Sequence, residues 1–406
     1  MAKRETDAAD DRPLRLYLVA GEHSGDALGA KLIQGLRQLS TRPLELAGVS
    51  GELMEAEGCP SLFPLSDVSV MSPLAILRQL PFLIRRINET AEAAIAYQPD
   101  VLVILDSPEF THQVAKRVRR WAPHIPIIDY VSPTVWAWRP GRAKKMRRYV
   151  DHVLAILPFE PEVHERLGGP ACSYVGHPLV ERVEELENLD PAPLRKELKI
   201  PEDAPVLVVL PGSRGTEVQR LMEPFGDALR MLQEKIPNLE VVLPTMASVR
   251  PLVEEGIKTW PLKPHIVSGT DNKFAAFKLG DVALAASGTV TLELALSRTP
   301  MVVAYKVDPL AAYIRYIILV DMVAMANLIL GRKAFPELLQ YYCTPEALTE
   351  ALLPLLQGGP ELEEQRQALD EVIRLVTEKD EPPSIRAARI VLSYAEEQEA
   401  PSRADI

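Results

Sequence analysis

A chain of 406 residues with 47% hydrophobic and 25% charged residues has the make-up of a soluble globular protein and more length than one hydrophobic core serves, so two domains are expected. A formal net charge of -11 gives no reason to expect a nucleic-acid partner, and three scattered cysteines, Cys59, Cys172 and Cys343, fit neither a disulfide framework nor a CxxC metal site. The charged segment Met1 to Arg12 lacks the apolar core of a secretory signal, which points to the cytoplasm, and Leu310 to Leu330 is interrupted by Arg315, Asp321 and Asn327, so it is not expected to span a membrane.

Apolar β-type runs alternate with helical stretches along the chain, starting with the strand Arg15 to Ala20. The turn Gly21-Glu22-His23-Ser24-Gly25-Asp26 follows. Its glycines are four apart, unlike the GxGxxG fingerprint. Ser24 or Asp26 can cap the next helix; alternatively Glu22 enters the crevice at the strand edge, where carboxylates contact hydroxyls. Pro73 to Ile87 reads as a basic amphipathic helix interrupted at Pro81, either facing the core or dipping into a bilayer interface. The strand Val101 to Asp106 ends in a carboxylate and runs into Ser107-Pro108-Glu109-Phe110. At the end of a buried parallel strand, Asp106 either caps the following helix or faces the ligand and abstracts a proton. Ile125 to Tyr130 precedes a proline-flanked loop with Trp136, Trp138, Arg139 and Arg142; its rings either fill a core or, exposed beside cations, suit sugar, phosphate or lipid headgroups. Val153 to Leu157 is the last clear strand of this half. Between Thr111 and Val150, ten Lys or Arg stand against one acid, Asp129, which suits substrate phosphates, a membrane surface or a solvated basic face.

Acidic residues and four prolines between Glu181 and Pro205 interrupt the pattern, giving expected domains at 1–185 and 186–345, with helices over 346–406. In the second half the strands are Val206 to Leu210, Leu239 to Leu243, His265 to Ser268, Val282 to Ala286 and Met301 to Tyr305. The first breaks into Pro211-Gly212-Ser213-Arg214-Gly215-Thr216-Glu217 and the fourth into Ser287-Gly288-Thr289. Both are strand-to-helix turns whose N–H groups and helix dipoles attract anions. Arg214 adds a fork of donors for phosphate oxygens, and Glu293, one turn into its helix, suits sugar hydroxyls. A nucleotide diphosphate linked to a sugar fits these turns. The fold class is α/β, two Rossmann-like domains facing across a cleft, with no metal site and no cofactor in the sequence.

These motifs occur in one order, and the chain resembles the lipid A disaccharide synthase family, bacterial glycosyltransferases of the GT-B fold. The resemblance rests on Gly21 to Asp26, Asp106 to Phe110, Tyr130 to Arg139, Leu157-Pro158-Phe159-Glu160, Gly176-His177-Pro178, Leu210 to Glu217 and Ala286 to Glu293. It implies transfer from UDP-2,3-diacylglucosamine to 2,3-diacylglucosamine 1-phosphate at the inner membrane face, forming a β-1,6 disaccharide and UDP without a metal. It further implies Asp106 as general base, Glu22 as an essential acid, Arg214 and Ser287-Gly288-Thr289 as diphosphate contacts and Glu293 as the ribose-binding acid. Ser24, Asn327, Trp136 and Arg139 join them as candidate substrate contacts. C-terminal helices returning to the first domain, an anionic membrane surface as partner and a domain-swapped homodimer are implied as well. The chain departs from the family pattern at Glu109, at Met71-Ser72-Pro73 and at Met325-Ala326-Asn327. Two rival readings are a UDP-sugar epimerase and a non-catalytic membrane-associated binding protein.

Overall fold

The computed structural model describes residues 12–69, 73–306, 322–378 and 381–397. Met71 and Ser72, the apolar stretch up to residue 321, and both ends of the chain lie outside them. Two compact units divide the chain: Met1–Pro178 together with Asp380–Ile406, and Leu179–Lys379.

In the first unit, β1 (Leu14–Ala20), α1 (His23–Leu39), β2 (Leu44–Val49), α2 (Glu52–Ala56) and α3 (Pro73–Tyr97) precede β3 (Val101–Leu105). Then come α4 (Thr111–Trp121), β4 (Ile127–Tyr130), α5 (Gly141–Met146), β5 (His152–Ala155), α6 (Glu160–Arg166) and β6 (Ala171–Tyr174). The six strands are parallel in the order β2-β1-β3-β4-β5-β6. Strands covered by helices on both faces must be apolar throughout, which is why every residue of β3, Val-Leu-Val-Ile-Leu, is buried. After β2 the chain returns to the other side of β1, so the sheet's topological switch point lies between β1 and β3, where Ala20 pairs with Leu105. Contrary to expectation, Pro81 does not interrupt α3. A proline removes one helical hydrogen bond, and here it stands exposed within a helix of 25 residues that is anchored by Ile87, Ala91 and Ala94 in the core.

The second unit begins with α7 (Val183–Asn188) and α8 (Ala192–Leu198), then β7 (Val206–Leu210), α9 (Gly215–Lys235), β8 (Glu240–Pro244), α10 (Arg250–Gly256) and β9 (His265–Val267). It continues through α11 (Thr270–Leu279), β10 (Val282–Ala286), α12 (Val290–Leu296), β11 (Met301–Tyr305), α13 (Met325–Leu330), β12 (Glu337–Leu339), α14 (Pro345–Leu356) and α15 (Pro360–Thr377). Its order, β12-β11-β10-β7-β8-β9, places a second switch point between β7 and β10. The proline-rich stretch expected to link two domains packs into this unit, Leu194, Ile200 and Ala204 against Val206 and Val267.

The C-terminal helices divide differently from the expected block at 346–406. Leu348, Leu352 and Leu355 of α14 are buried in the second unit's core, and Gln365 of α15 holds Met301 of β11 through both backbone groups, at 2.8 and 3.1 Å. Only α16 (Pro383–Glu397) belongs to the first unit, where Ala387, Ala388 and Val391 are buried and pack beside α1. Among the described residues, no helix is long and apolar enough to cross a membrane.

Candidate active site

Both halves of the first unit's switch point carry a polar loop, and close packing brings them together. A methyl group on Gly21 would meet the Ser107 side chain at 2.4 Å, and one on Gly25 would meet the Leu105 carbonyl oxygen at 2.9 Å. Their lack of side chains therefore lets the loop after β1 lie against the loop after β3. The consequence is a hydrogen bond: Ser24 Oγ donates to Asp106 Oδ2 at 2.6 Å. Asp106 Oδ1 accepts the Ser107 N–H at 2.7 Å. Asp106 and Ser107 both take positive φ, 55° and 44°, a conformation L-residues adopt at a cost. Thr111 steadies it by donating to the Asp106 carbonyl at 2.7 Å. Asp106 thus does not cap α4; its carboxylate is half-buried at the strand edge.

Within the glycine turn the side chains separate by role. Asp26 is buried and accepts N–H groups of Gly51, Leu53 and Met54 at 2.9 to 3.0 Å, so it caps α2 rather than α1. Glu22 occupies the cap position of α1 and is half-buried.

The loop after β4 differs from expectation. Trp136 is half-buried rather than exposed; its Nε1 donates to Glu160 Oε1 at 3.1 Å and its ring meets Phe159 edge-on at 5.4 Å. It closes a small core of Val135, Ala143 and Val163, which accounts for its place in the sequence without a ligand. Glu160 also accepts the Leu157 N–H at 3.0 Å, and burial pushes its carboxyl up to about 7. Arg139 remains exposed, its guanidinium 4.8 Å from the Trp138 ring centre, and lines a basic concavity of about 990 Å³ that begins at Pro108.

In the second unit the turn after β7 depends on Gly212, whose φ is +121° and whose added methyl would meet Glu217 at 2.6 Å. Glu217 is buried in the first turn of α9 and accepts the N–H groups of Ser213 and Arg214 at 3.2 and 3.3 Å. Those two donors, expected to face an anion, are engaged by this carboxylate. Anion binding at this turn then falls mainly to the Arg214 side chain, 49% exposed with Nη1 3.4 Å from Glu217 Oε1. Tyr305 donates to the same oxygen at 3.4 Å. Across the switch point, Ser287 donates to the Val323 carbonyl at 3.1 Å, and Gly288 and Thr289 are exposed just before α12.

Glu293 on α12 is paired with Lys273 on α11 at 2.8 Å. Asn327 is overturned as a ligand contact. It is fully buried: its Nδ2 donates to the Phe335 carbonyl and to Glu337 Oε1, both at 2.8 Å, while its Oδ1 accepts the Ala334 and Phe335 N–H groups at 2.9 and 3.0 Å. Both donors and both lone pairs are satisfied inside the protein, so Asn327 holds the loop before β12. Glu217 and Lys273 were missed as site residues. The first had a signal, a glutamate three residues past a helix start; the second had none, being twenty residues from its partner on another helix.

Two doubly wound parallel sheets, each with polar loops at its switch point, define an enzyme of the GT-B type. The fold is shared with a UDP-GlcNAc 2-epimerase from Neisseria meningitidis solved with UDP-GlcNAc (TM-score 0.64, 13% identity, 94% of this chain and 100% of that one). A glycosyltransferase from Rickettsia africae is similar too, at TM-score 0.60 and 11% identity over 96% and 100% of the two chains. The family model for lipid-A-disaccharide synthetase matches residues 16–391. Lipid-A-disaccharide synthases from Nitrobacter winogradskyi and Nitrobacter hamburgensis are 47% and 49% identical, covering 97% and 93% of this chain and 99% and 95% of their own. The chain belongs to the lipid-A-disaccharide synthetase family, glycosyltransferases of lipid A biosynthesis. Its likeness to the epimerase is one of fold alone.

Proposed function

We propose that the chain joins UDP-2,3-diacylglucosamine to 2,3-diacylglucosamine 1-phosphate in one inverting displacement, with Asp106 as base. The observation that supports it is a half-buried carboxylate at a switch point, held from both sides by Ser24 and Ser107. So fixed, Asp106 keeps lone pairs for the acceptor 6-hydroxyl and takes its proton as the oxygen attacks the donor's anomeric carbon. The new C–O bond forms as the bond to the diphosphate breaks, through an oxocarbenium-like state. Negative charge then gathers on the departing UDP. Arg214 and the Ser287 to Thr289 turn receive it, and their contribution grows as the bond lengthens. Glu293, oriented by Lys273, accepts hydrogen bonds from the ribose hydroxyls, and Glu22 completes the acceptor-side loop beside Ser24.

The test is UDP release from the two acylated substrates by Asp106→Asn. Loss of general-base help lowers kcat by about two to four powers of ten, while UDP affinity and the melting curve stay those of the parent. Near-normal turnover by the folded variant would discard Asp106 as base.

A further inference from the structure

The concavity of about 990 Å³ beside Asp106 is lined by seven basic side chains and one carboxylate, Glu109. Two of the cations are committed within the protein: Arg119 pairs with Asp151, and Arg142 lies 3.3 Å from Glu109. Lys116 and Arg120 on α4, with Lys145 and Arg148 at the end of α5, have no carboxylate partner among the described residues. A solvated basic face spreads its charges over convex surface, where water separates them. Here they converge on a concave wall with a built floor. Tyr149 hydrogen-bonds His112 Nδ1 at 3.1 Å, and His112 Nε2 bonds buried Asp129 at 3.0 Å. Lys116 Nζ sits 5.1 Å from the Tyr149 ring centre. Burial first, and then repulsion from Arg142, Lys145 and Arg117, lowers its pKa. An anion seated among these groups relieves that repulsion.

Position narrows the anion. Pro108 and Glu109 line the concavity and follow Asp106 by two and three residues, and two residues of chain reach at most about 7 Å. We propose that this concavity binds the phosphomonoester of the acceptor, seating the anomeric phosphate across the sugar ring from the hydroxyl that Asp106 deprotonates. The proposal rests on the glycosyl-transfer reading given above. A membrane phospholipid offers the same phosphate chemistry, but as a diester with a single charge. A monoester carries about −1.5 to −2 and three free oxygens, which suits so many converging donors better.

Lys116→Gln and Arg120→Gln, singly and together, test it in neutral detergent micelles with two acceptors, one bearing and one lacking the anomeric phosphate. The parent enzyme is expected to have the lower KM for the phosphorylated acceptor. Each substitution raises that KM about tenfold, leaves kcat and the donor KM nearly unchanged, and does not alter KM for the acceptor without phosphate. Lys116→Arg restores most of the difference. Equal effects on both acceptors, or none, overturn the proposal. It also fails if the variants lose binding to phosphatidylglycerol vesicles while keeping the parent's KM in micelles, since the phosphate would then be the membrane's. Calorimetry with glucosamine 1-phosphate reads the site without turnover: the parent binds and the double variant does not. Should no acceptor support UDP release, the transfer reaction is wrong while the titration still decides the site; identical titrations of parent and double variant overturn it.

Discussion

Arg214 shows how one buried acid sets the character of a phosphate contact. Glu217 draws in two backbone donors of the turn and stands 3.4 Å from the guanidinium, so the arginine is held near one geometry while 49% of its side chain stays accessible. Arg214→Ala should therefore weaken UDP binding about tenfold and lower turnover further, because charge on the diphosphate rises along the reaction. Lysine should restore part of the affinity, since it brings the charge without the planar fork. Calorimetry with UDP beside steady-state kinetics checks both, and unchanged values in Arg214→Ala would remove the residue from the phosphate site. At this scale the sequence was legible where function coincided with a position in the chain pattern: Asp106 at a strand end, Ser24 in a glycine turn, Arg214 after another strand. It was illegible where satisfaction decides the role. Asn327 and Trp136 offer donors suited to a sugar, and only the fold places Phe335, Glu337 and Glu160 where they engage them. Asp26 was ambiguous for the same reason, its true partners lying beyond the next strand at Gly51 to Met54.

Among the elements, the central strands were readable and the edges were not. Val101 to Leu105, Val206 to Leu210 and Val282 to Ala286 are apolar at every position because helices cover both faces. The missed strands are β2, β6 and β12, all at sheet edges and only half-buried over much of their length, so their sequences carry little apolar signal. The C-terminal block was misassigned because α14, α15 and α16 have similar amphipathic patterns; which sheet each covers is settled by tertiary contacts such as that of Gln365 with Met301. α6 carries a property that the sequence hid. Glu160, at its first turn, has a folded-state pKa raised by burial to about 7 from an ordinary 4.5. Below pH 4.5 both folded and unfolded chains hold this proton. Between 4.5 and about 7 the folded state holds it more tightly, so this group makes stability fall as pH rises through that window, by roughly 3 kcal/mol in all, and adds no further slope above it. Glu160→Gln should remove that part of the slope. Urea melts at pH 4.5, 5.5 and 7 measure it, and an unaltered pH dependence in the variant would mean that Glu160 stays ionised inside the fold.

At the scale of the molecule, the formal charge is -11, yet the first unit gathers cations beside exposed apolar side chains. Leu80, Phe82 and Ile84 on α3 are 45%, 39% and 42% exposed, whereas Leu83 packs against the core. Arg86, expected on the same basic face, pairs with Asp67 and Glu89 and lies over Phe63 and Phe82, so it is not available to a surface; the Arg78 and Leu77 side chains lie outside the described residues. Peripheral binding to an anionic membrane, proposed because the acceptor is lipid-borne, then has two separable parts. Exposed Arg85, Lys144 and Arg147 supply attraction of roughly 1 kcal/mol each near the surface, which salt screens. Burial of Leu80, Phe82 and Ile84 in the headgroup boundary supplies a remainder that salt does not remove. Replacing these three with serine should abolish the salt-resistant fraction in vesicle co-sedimentation and should lower turnover on long-chain substrate more than on a short-chain analogue. The melting temperature should change little, because these side chains are already in water. A parent protein that leaves vesicles completely at high salt would refute insertion, and equal losses on long- and short-chain substrates would show that these three side chains support α3 itself rather than a lipid surface.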